Sequence, residues 1–173
     1  MPRLLRILAL LPCFLGSASV AHAFGRKAAC AVRFHVEVDG TASASDPFAR
    51  PVKLINPPRQ TYVESSAALS EKQIESVYAF ANADGTWGVL FQLTPSGKKI
   101  LTQLSSANRG RSFVVFIGNQ KQARQLPEDL LIDRIVDDGL LPIPQGLSYP
   151  EVLLLQKNFK PLAPIKKPFS AAQ

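Results

Sequence analysis

The clearest pattern near the start of the chain is a strict alternation of apolar and polar side chains. It covers residues 31–38, where Phe34 belongs to the apolar set and His35 to the polar set. Alternation with a period of two predicts a β-strand with one face in the core and the other in solvent. We therefore expect His35 at the surface or at the edge of a sheet.

Prolines shape the next part of the chain. Residues 39–51 are small, polar and proline-marked, which predicts a loop. A short apolar run follows at 52–55, and a second short strand-forming run at 60–64. Because proline has no backbone N–H to donate to a central strand, Pro57 and Pro58 place these two runs at the edge of a sheet. Such an edge is also a site where an extended peptide could add as a strand.

The middle of the chain predicts two hairpins and one buried strand. Residues 76–93 are rich in β-forming residues on both sides of the turn sequence at 82–85, which is typical of a hairpin. Residues 112–117 are almost continuously apolar, and this favours a central strand. Residues 130–143 predict a second hairpin, which turns at 137–139.

Capping residues mark two α-helices. Thr94 is a good N-cap, Pro95 suits the first helical position, and Gly110 fits a left-handed C-terminal cap. A capping box at residues 148–151 starts the second helix, which is predicted to end near Phe159. The residues of this helix expected to face the core are Val152, Leu153, Leu155 and Phe159.

The order of these elements predicts the fold class. Strands come first, followed by a hairpin, a helix, a strand, a second hairpin and a second helix. This order predicts an α+β fold, with a mainly antiparallel sheet and two helices packed on one face.

The first residues have the three parts of a secretory signal peptide. Arg3 and Arg6 give a positive start, residues 4–15 form an apolar run too short to span a membrane, and residues 21–23 are an A-x-A cleavage site. The alternative that the sequence leaves open is a lipoprotein that is anchored through Cys13.

Cleavage at this site predicts the organisation of the chain. Residues 1–23 form the leader, residues 24–160 form a single α+β domain, and residues 161–173 form a flexible tail. No later run approaches membrane length, so the mature protein is expected in the periplasm or secreted. Cys30 is then the only remaining cysteine, so no internal disulfide can form and the fold must be held by its core. Cys30 is either a spare or buried thiol or, in the alternative, forms a disulfide with a second molecule.

The sequence offers little material for catalysis. After the leader it keeps one histidine, His35, and one cysteine, Cys30, and it has no nucleophile motif and no set of metal ligands. The aspartates at 133, 137 and 138 do not have the spacing of a calcium loop. We therefore predict no catalytic residue, no metal site and no cofactor, and the absence of a nucleic-acid motif excludes that class of partner.

Charge is segregated along the second half of the chain. The chain carries 20 basic and 13 acidic residues, and the segment 97–127 has basic residues but no acidic one. An acidic segment follows at 128–138. Either the two segments are solvated faces that balance each other, or the basic one binds an acidic partner. The tentative binding residues are Lys98, Lys99, Arg109 and Arg111.

Three segments carry a resemblance to a known family. They are the capping sequence at 69–74, the strand and helix start at 89–97, and the helix end, glycine-basic turn and strand at 104–118. Together with the helix after Ser148, they resemble the head subdomain of the large periplasmic domain of SecD, a protein-export subunit. The resemblance implies an α+β fold and a capacity to contact polypeptide. It does not include the membrane helices on which the motor function of SecD depends.

These observations favour a non-catalytic binding or accessory module that engages polypeptide or an envelope protein. Two other classes stay open at this point. One is a small periplasmic enzyme with a polar site at Asp133, Arg134 and Asp137. The other is a purely structural envelope protein.

Overall fold

The computed structural model describes residues 30–38, 46–55 and 58–162. The predicted leader, residues 1–23, lies outside the described residues, as do residues 163–173 of the predicted tail. The described chain forms the strands β1 (Cys30–Val38), β2 (Ala49–Ile55), β3 (Pro58–Glu64), β4 (Leu69–Ser70), β5 (Ile74–Ala81), β6 (Trp87–Leu93), β7 (Ser112–Asn119), β8 (Ala123–Gln125), β9 (Leu130–Leu131), β10 (Leu140–Leu147) and β11 (Lys160–Pro161). Its α-helices are α1 (Pro95–Ala107) and α2 (Tyr149–Asn158), and a 3₁₀ turn covers Glu71–Gln73.

The strands form two sheets. The first has the order β2-β3-β1-β7-β8, with β4 beside β1 and β9 beside β7, and the second has the order β10-β6-β5-β11. In the described chain β11 pairs with β5 in parallel, and the other strand pairs are antiparallel. The predicted α+β class, mainly antiparallel with two helices, is therefore confirmed. No helix among the described residues combines the length and the apolar character that crossing a membrane requires.

The main core lies between the two sheets and the two helices. Phe34 of β1 is fully buried, and its ring contacts Phe91 of β6 edge-on with centroids 5.9 Å apart. Leu101 of α1 and Leu155 of α2 are fully buried in the same cluster. Both helices therefore pack on the side of the second sheet that faces the first sheet.

A second, smaller core covers the opposite face of the first sheet. Leu54 of β2 and Val63 of β3 are buried against Val114 of β7. The hairpin β2–β3 therefore folds over β1 and β7. Its outer strand is also linked to β8, because the side-chain amide of Gln125 donates to the carbonyl oxygen of Lys53 at 3.0 Å.

This hairpin overturns the prediction for His35. Instead of lying at the surface, His35 has only 2% of its area exposed. The alternation of residues 31–38 is real, but the face that it marks as polar is covered by a hairpin that follows later in the chain.

An ion-pair network fixes the hairpin to its neighbours. The guanidinium of Arg59 in β3 donates to Glu37 of β1 and to Asp129, the latter at 2.9 Å, and the Thr61 hydroxyl donates to Glu37 at 2.7 Å. Burial alone would raise the pKa of Glu37, but the hydrogen bonds from Arg59 and Thr61 outweigh it and hold this pKa below its usual value.

The locally encoded elements match the predictions. Strands β5 and β6 form the predicted hairpin. The Thr94 hydroxyl accepts a hydrogen bond from the N–H of Gly97 at 3.1 Å and caps α1. The N–H of Ser148 donates to Glu151 at 2.8 Å, as expected of a capping box.

Two other predictions are wrong. Residues 130–143 do not form a hairpin, because β9 pairs with β7 in the first sheet and β10 pairs with β6 in the second. The chain between them crosses from one sheet to the other. In α2, Leu153 is 47% exposed, because the buried residues Val152 and Leu155 fix a face from which position 153 points away.

The predicted tail begins inside the described structure. Strand β11 includes Pro161, and the N–H of Leu162 donates to the carbonyl of Val77 in β5 at 2.8 Å. The described chain is thus attached to the second sheet two residues beyond the predicted domain boundary at residue 160.

The end of α1 gives a prediction for stability. Gly110 has φ +80°, and a Cβ atom there would meet nothing within 4 Å, so a substitution acts through the backbone alone. We expect Gly110→Ala to lower the free energy of unfolding by about 1 kcal/mol, because L-residues disfavour this left-handed conformation. Urea denaturation measures the change. Gly110→Asn is the matched control and should cost less, since asparagine tolerates this conformation better, and equal costs would contradict the explanation.

Candidate functional site

The second sheet leaves one of its faces without a covering layer in the described chain. Its other face carries Val77, Val89 and Phe91 into the main core. The strand register places the opposite side chains in rows across the sheet, with Tyr78 beside Leu90 and Leu90 beside Pro142. The same register places Ser76 and Gln92 on this side too, at one end of the strands. We call the apolar part of the surface the outer face, and it consists of Tyr78, Phe80, Gly88, Leu90, Pro142 and Pro144.

The outer face is apolar and partly exposed. Tyr78 has half of its area exposed, and Pro142 and Pro144 are exposed as well. The rings of Tyr78 and Phe80 are stacked, with centroids 6.5 Å apart and an interplanar angle of 28°. Aromatic and apolar side chains at the surface of a sheet are typical of sites that bind other polypeptides.

Gly88 keeps this surface flat. A Cβ atom at position 88 would lie 2.3 Å from the Phe80 ring and 2.3 Å from the carbonyl oxygen of Pro144. The ring of Phe80 therefore lies directly over the Gly88 backbone, where a side chain on any residue other than glycine would collide with it. This close approach, and not a turn, is the reason for glycine here.

The two edges beside the outer face differ in their backbone groups. On β10, Pro142 and Pro144 have no N–H, and the N–H of Leu140 is bonded to Asp138 at 2.8 Å. This edge therefore lacks donors at those positions. On β5, the carbonyl of Val77 points outward to Leu162, and the alternation of the backbone directs the groups of Ala79 outward too.

The edge that was expected to accept a peptide, at residues 52–64, is partly occupied. Strand β2 is indeed the terminal strand of the first sheet. However, the outward carbonyl of Lys53 already accepts from Gln125, and Pro51, which faces the same way, has no N–H.

The structure separates the predicted basic residues into two pairs. Lys98 and Lys99 are exposed in the first turns of α1, whereas Arg109 and Arg111 follow its C-terminal end. At about 1.5 Å per residue the two pairs are roughly 16 Å apart, which exceeds the screening length of about 8 Å at physiological salt. Arg111 also donates to the side chain of Asn108 at 3.2 Å.

The basic segment also contains an arginine that serves the fold. Arg124 donates to both carboxylate oxygens of Glu151 at 2.7 Å, and also to the carbonyl of Gly146. Burial raises the pKa of Glu151, but the hydrogen bonds from Arg124 and Ser148 outweigh it and leave this pKa below its usual value. Arg124 thus joins β8 to the start of α2.

The residues considered for catalysis lie in different surroundings. Asp133, Arg134 and Asp137 are exposed on the segment that crosses between the sheets. Cys30 is fully buried at the start of β1, and burial, followed by the charge of Glu71, raises the pKa of its thiol to about 12. Such a thiol stays protonated and is a poor nucleophile. Among the described residues no cluster of histidine, cysteine, aspartate and glutamate could hold a metal ion.

Comparison with known proteins gives a likeness of fold. No family model and no curated protein matches the sequence. A solved structure of SecDF, described as a membrane component that enhances protein export, matches with a TM-score of 0.50 and 15% identity over 75% of this chain. The match spans 63% of the chain in that structure. A structure of SecDF in its super-membrane-facing form has a TM-score of 0.49 and 16% identity, over 77% of this chain and 19% of the other.

At such identity the likeness concerns the fold alone. Within that limit it confirms the resemblance to SecD that the sequence segments indicate. Sequence reasoning did not identify the outer face, although the signal is present. In residues 76–93 both alternating sets contain apolar residues, including Tyr78, Phe80 and Leu90, so both faces of the hairpin are apolar.

The contact at Gly88 can be tested by substitution. We expect Gly88→Ala to lower the free energy of unfolding by about 2 kcal/mol, because the added methyl group collides with the Phe80 ring and a backbone oxygen. Chemical denaturation measures the loss. In a Phe80→Ala background the same change should cost less, since the ring is gone. Additive costs would mean that the ring does not lie against Gly88.

Proposed function

We propose that this chain is an exported, non-catalytic accessory module that binds polypeptide segments through the outer face of its second sheet. The observation that carries the proposal is the exposed apolar surface around Tyr78 and Phe80, on a sheet whose opposite face is filled by the core. A surface of this kind loses unfavourable contact with water when an apolar segment covers it.

The backbone at the β5 edge supports a specific mode of binding. An extended segment beside Ala79 could pair with the outward groups of β5 and lay alternate side chains on Tyr78 and Phe80. The preferred partner is therefore an extended, largely apolar polypeptide, such as an exported protein before it folds or an exposed segment of an envelope protein.

The fold and the leader support the place of action. SecDF is described as enhancing protein export, and the shared fold supports a role of this chain in contacting exported polypeptides. The sequence of residues 1–23 predicts export to the periplasm or beyond. The competing hypothesis is an enzyme built on Asp133, Arg134 and Asp137, which are exposed on the segment between the two sheets.

The binding surface can be tested with one neutral and one acidic peptide. We expect the mature domain to bind an extended, apolar, uncharged fluorescent peptide, and Tyr78→Ser to weaken this binding by about tenfold or more, because exposed aromatic anchors carry a large share of binding energy. Fluorescence anisotropy at low and high salt measures the affinity. Tyr78→Phe should retain binding, since it keeps the apolar ring.

Leu153→Ser is the matched control, because Leu153 is an equally exposed apolar residue on α2. It should leave the affinity unchanged. If the basic residues Arg109 and Arg111 bind the partner instead, the acidic peptide binds preferentially and salt abolishes the complex. Binding of neither peptide would favour a purely structural role.

Export can be tested separately. We expect the exported form to begin at Phe24, because the A-x-A pattern ends at Ala23. N-terminal sequencing of protein recovered from the periplasm or medium measures this. A lipid-modified Cys13 at the N-terminus would contradict the prediction.

A further inference from the structure

His35 lies in a buried contact between the β2–β3 hairpin and the first sheet. Its Nδ1 atom is 2.8 Å from the carbonyl oxygen of Glu64, and its Nε2 atom is 3.1 Å from Nη2 of Arg50. The imidazole meets the ring of Phe116 edge-on, with centroids 5.3 Å apart. Both ring nitrogens therefore have partners that belong to the hairpin or to the residue that ends it.

These partners determine which nitrogen carries the proton. A carbonyl oxygen only accepts, so Nδ1 must donate to Glu64. A guanidinium only donates, so Nε2 must accept from Arg50. The contact thus requires the neutral imidazole with its proton on Nδ1. A second proton on Nε2 would place two donors and two positive charges 3.1 Å apart.

The surroundings offer little compensation for that charge. The guanidinium carbon of Arg50 lies 4.9 Å from the centre of the Phe116 ring, and its Nε atom is buried with no hydrogen-bond partner among the described residues. From β7, His35 faces Val114 and Phe116, which are uncharged. The contact is therefore packed against apolar side chains on the β7 side.

The other charged groups near His35 do not reverse this conclusion. On β1, Arg33 adds a further positive charge, and Glu37 is already held by Arg59. At the end of β3, the residue Glu64 is exposed and contacts the imidazole through its backbone oxygen. From β2, Arg50 faces the ring directly.

We propose that His35 is a pH-sensitive latch for the β2–β3 hairpin, which protonation of Nε2 opens by breaking the contact with Arg50. Opening uncovers the second core, in which Leu54 and Val63 pack against Val114. The inference is independent of the proposed binding surface, because that surface lies on the other sheet.

The direction of the pH dependence follows from the same contacts. Burial lowers the pKa of His35, and Arg50 and Arg33 lower it further, which outweighs the hydrogen bonds to the backbone of Glu64 and Ser66. The folded protein then binds the proton more weakly than the unfolded chain, whose histidines have a pKa of about 6.5. The latch is fully closed above that pH and weakens as the pH falls below it.

Two measurements on the full chain test the proposal. NMR titration follows the imidazole of His35, and a His22→Gln variant assigns the signals, because these are the two histidines of the chain. Hydrogen exchange gives protection factors for β2 and β3. We expect His35 to titrate clearly below pH 6.5, and the protection of the hairpin to fall by up to about tenfold for each pH unit below it.

Two variants separate the latch from general acid sensitivity. In Arg50→Met the apolar packing on Phe116 is kept and the opposing charge is lost, so His35 should titrate closer to pH 6.5 and the hairpin should depend less on pH. In His35→Gln an amide oxygen can accept from Arg50, and protection should not change between pH 7.5 and 5. Titration of His35 at or above 6.5 in the wild type would overturn the proposal. Equal pH dependence in the wild type and Arg50→Met would overturn it too, even if His35→Gln does not fold.

Discussion

Burial of β1 and β7 on both of their faces is the constraint from which the rest of the structure follows. One face joins the main core, where Phe34 reaches across to Phe91 of the second sheet. The other face would expose Val114 and Phe116 to water, and the β2–β3 hairpin folds back to cover them. The hairpin can close in this way because Arg59 satisfies the carboxylates of Glu37 and Asp129, which partial burial would otherwise penalise.

The second sheet is buried on one face only. Its inner face receives both helices and the aromatic contact from β1, but its outer face has no layer of its own in the described chain. Tyr78, Phe80 and Leu90 contact one another there but stay partly exposed. The two sheets thus differ in what covers their second faces. The second face of the first sheet forms an internal core beside His35, whereas the second face of the second sheet is partly exposed among the described residues.

The sequence predicted those features whose physical cause is local. The hydroxyl of Thr94 and the capping box at Ser148 act within one turn of helix, and Gly110 acts within a single residue. Features that depend on distant parts of the chain were missed. His35 is buried by the β2–β3 hairpin, which follows later in the chain. Residues 130–131 pair with Ser112 and Phe113 in the first sheet, whereas β10 belongs to the second sheet. Likewise, Lys98 and Arg111 lie near each other in the sequence, but the length of α1 separates them in space.

The proline pair on β10 has a consequence for the protein at high concentration. A sheet with an apolar face and a free edge is prone to join with the same edge of another molecule, and such stacking propagates into fibrils. Pro142 and Pro144 interrupt this at the β10 edge, because each removes a donor that an incoming strand would need. The proline pair therefore opposes aggregation along the β10 edge, and growth of the sheet is directed to the edge at β5.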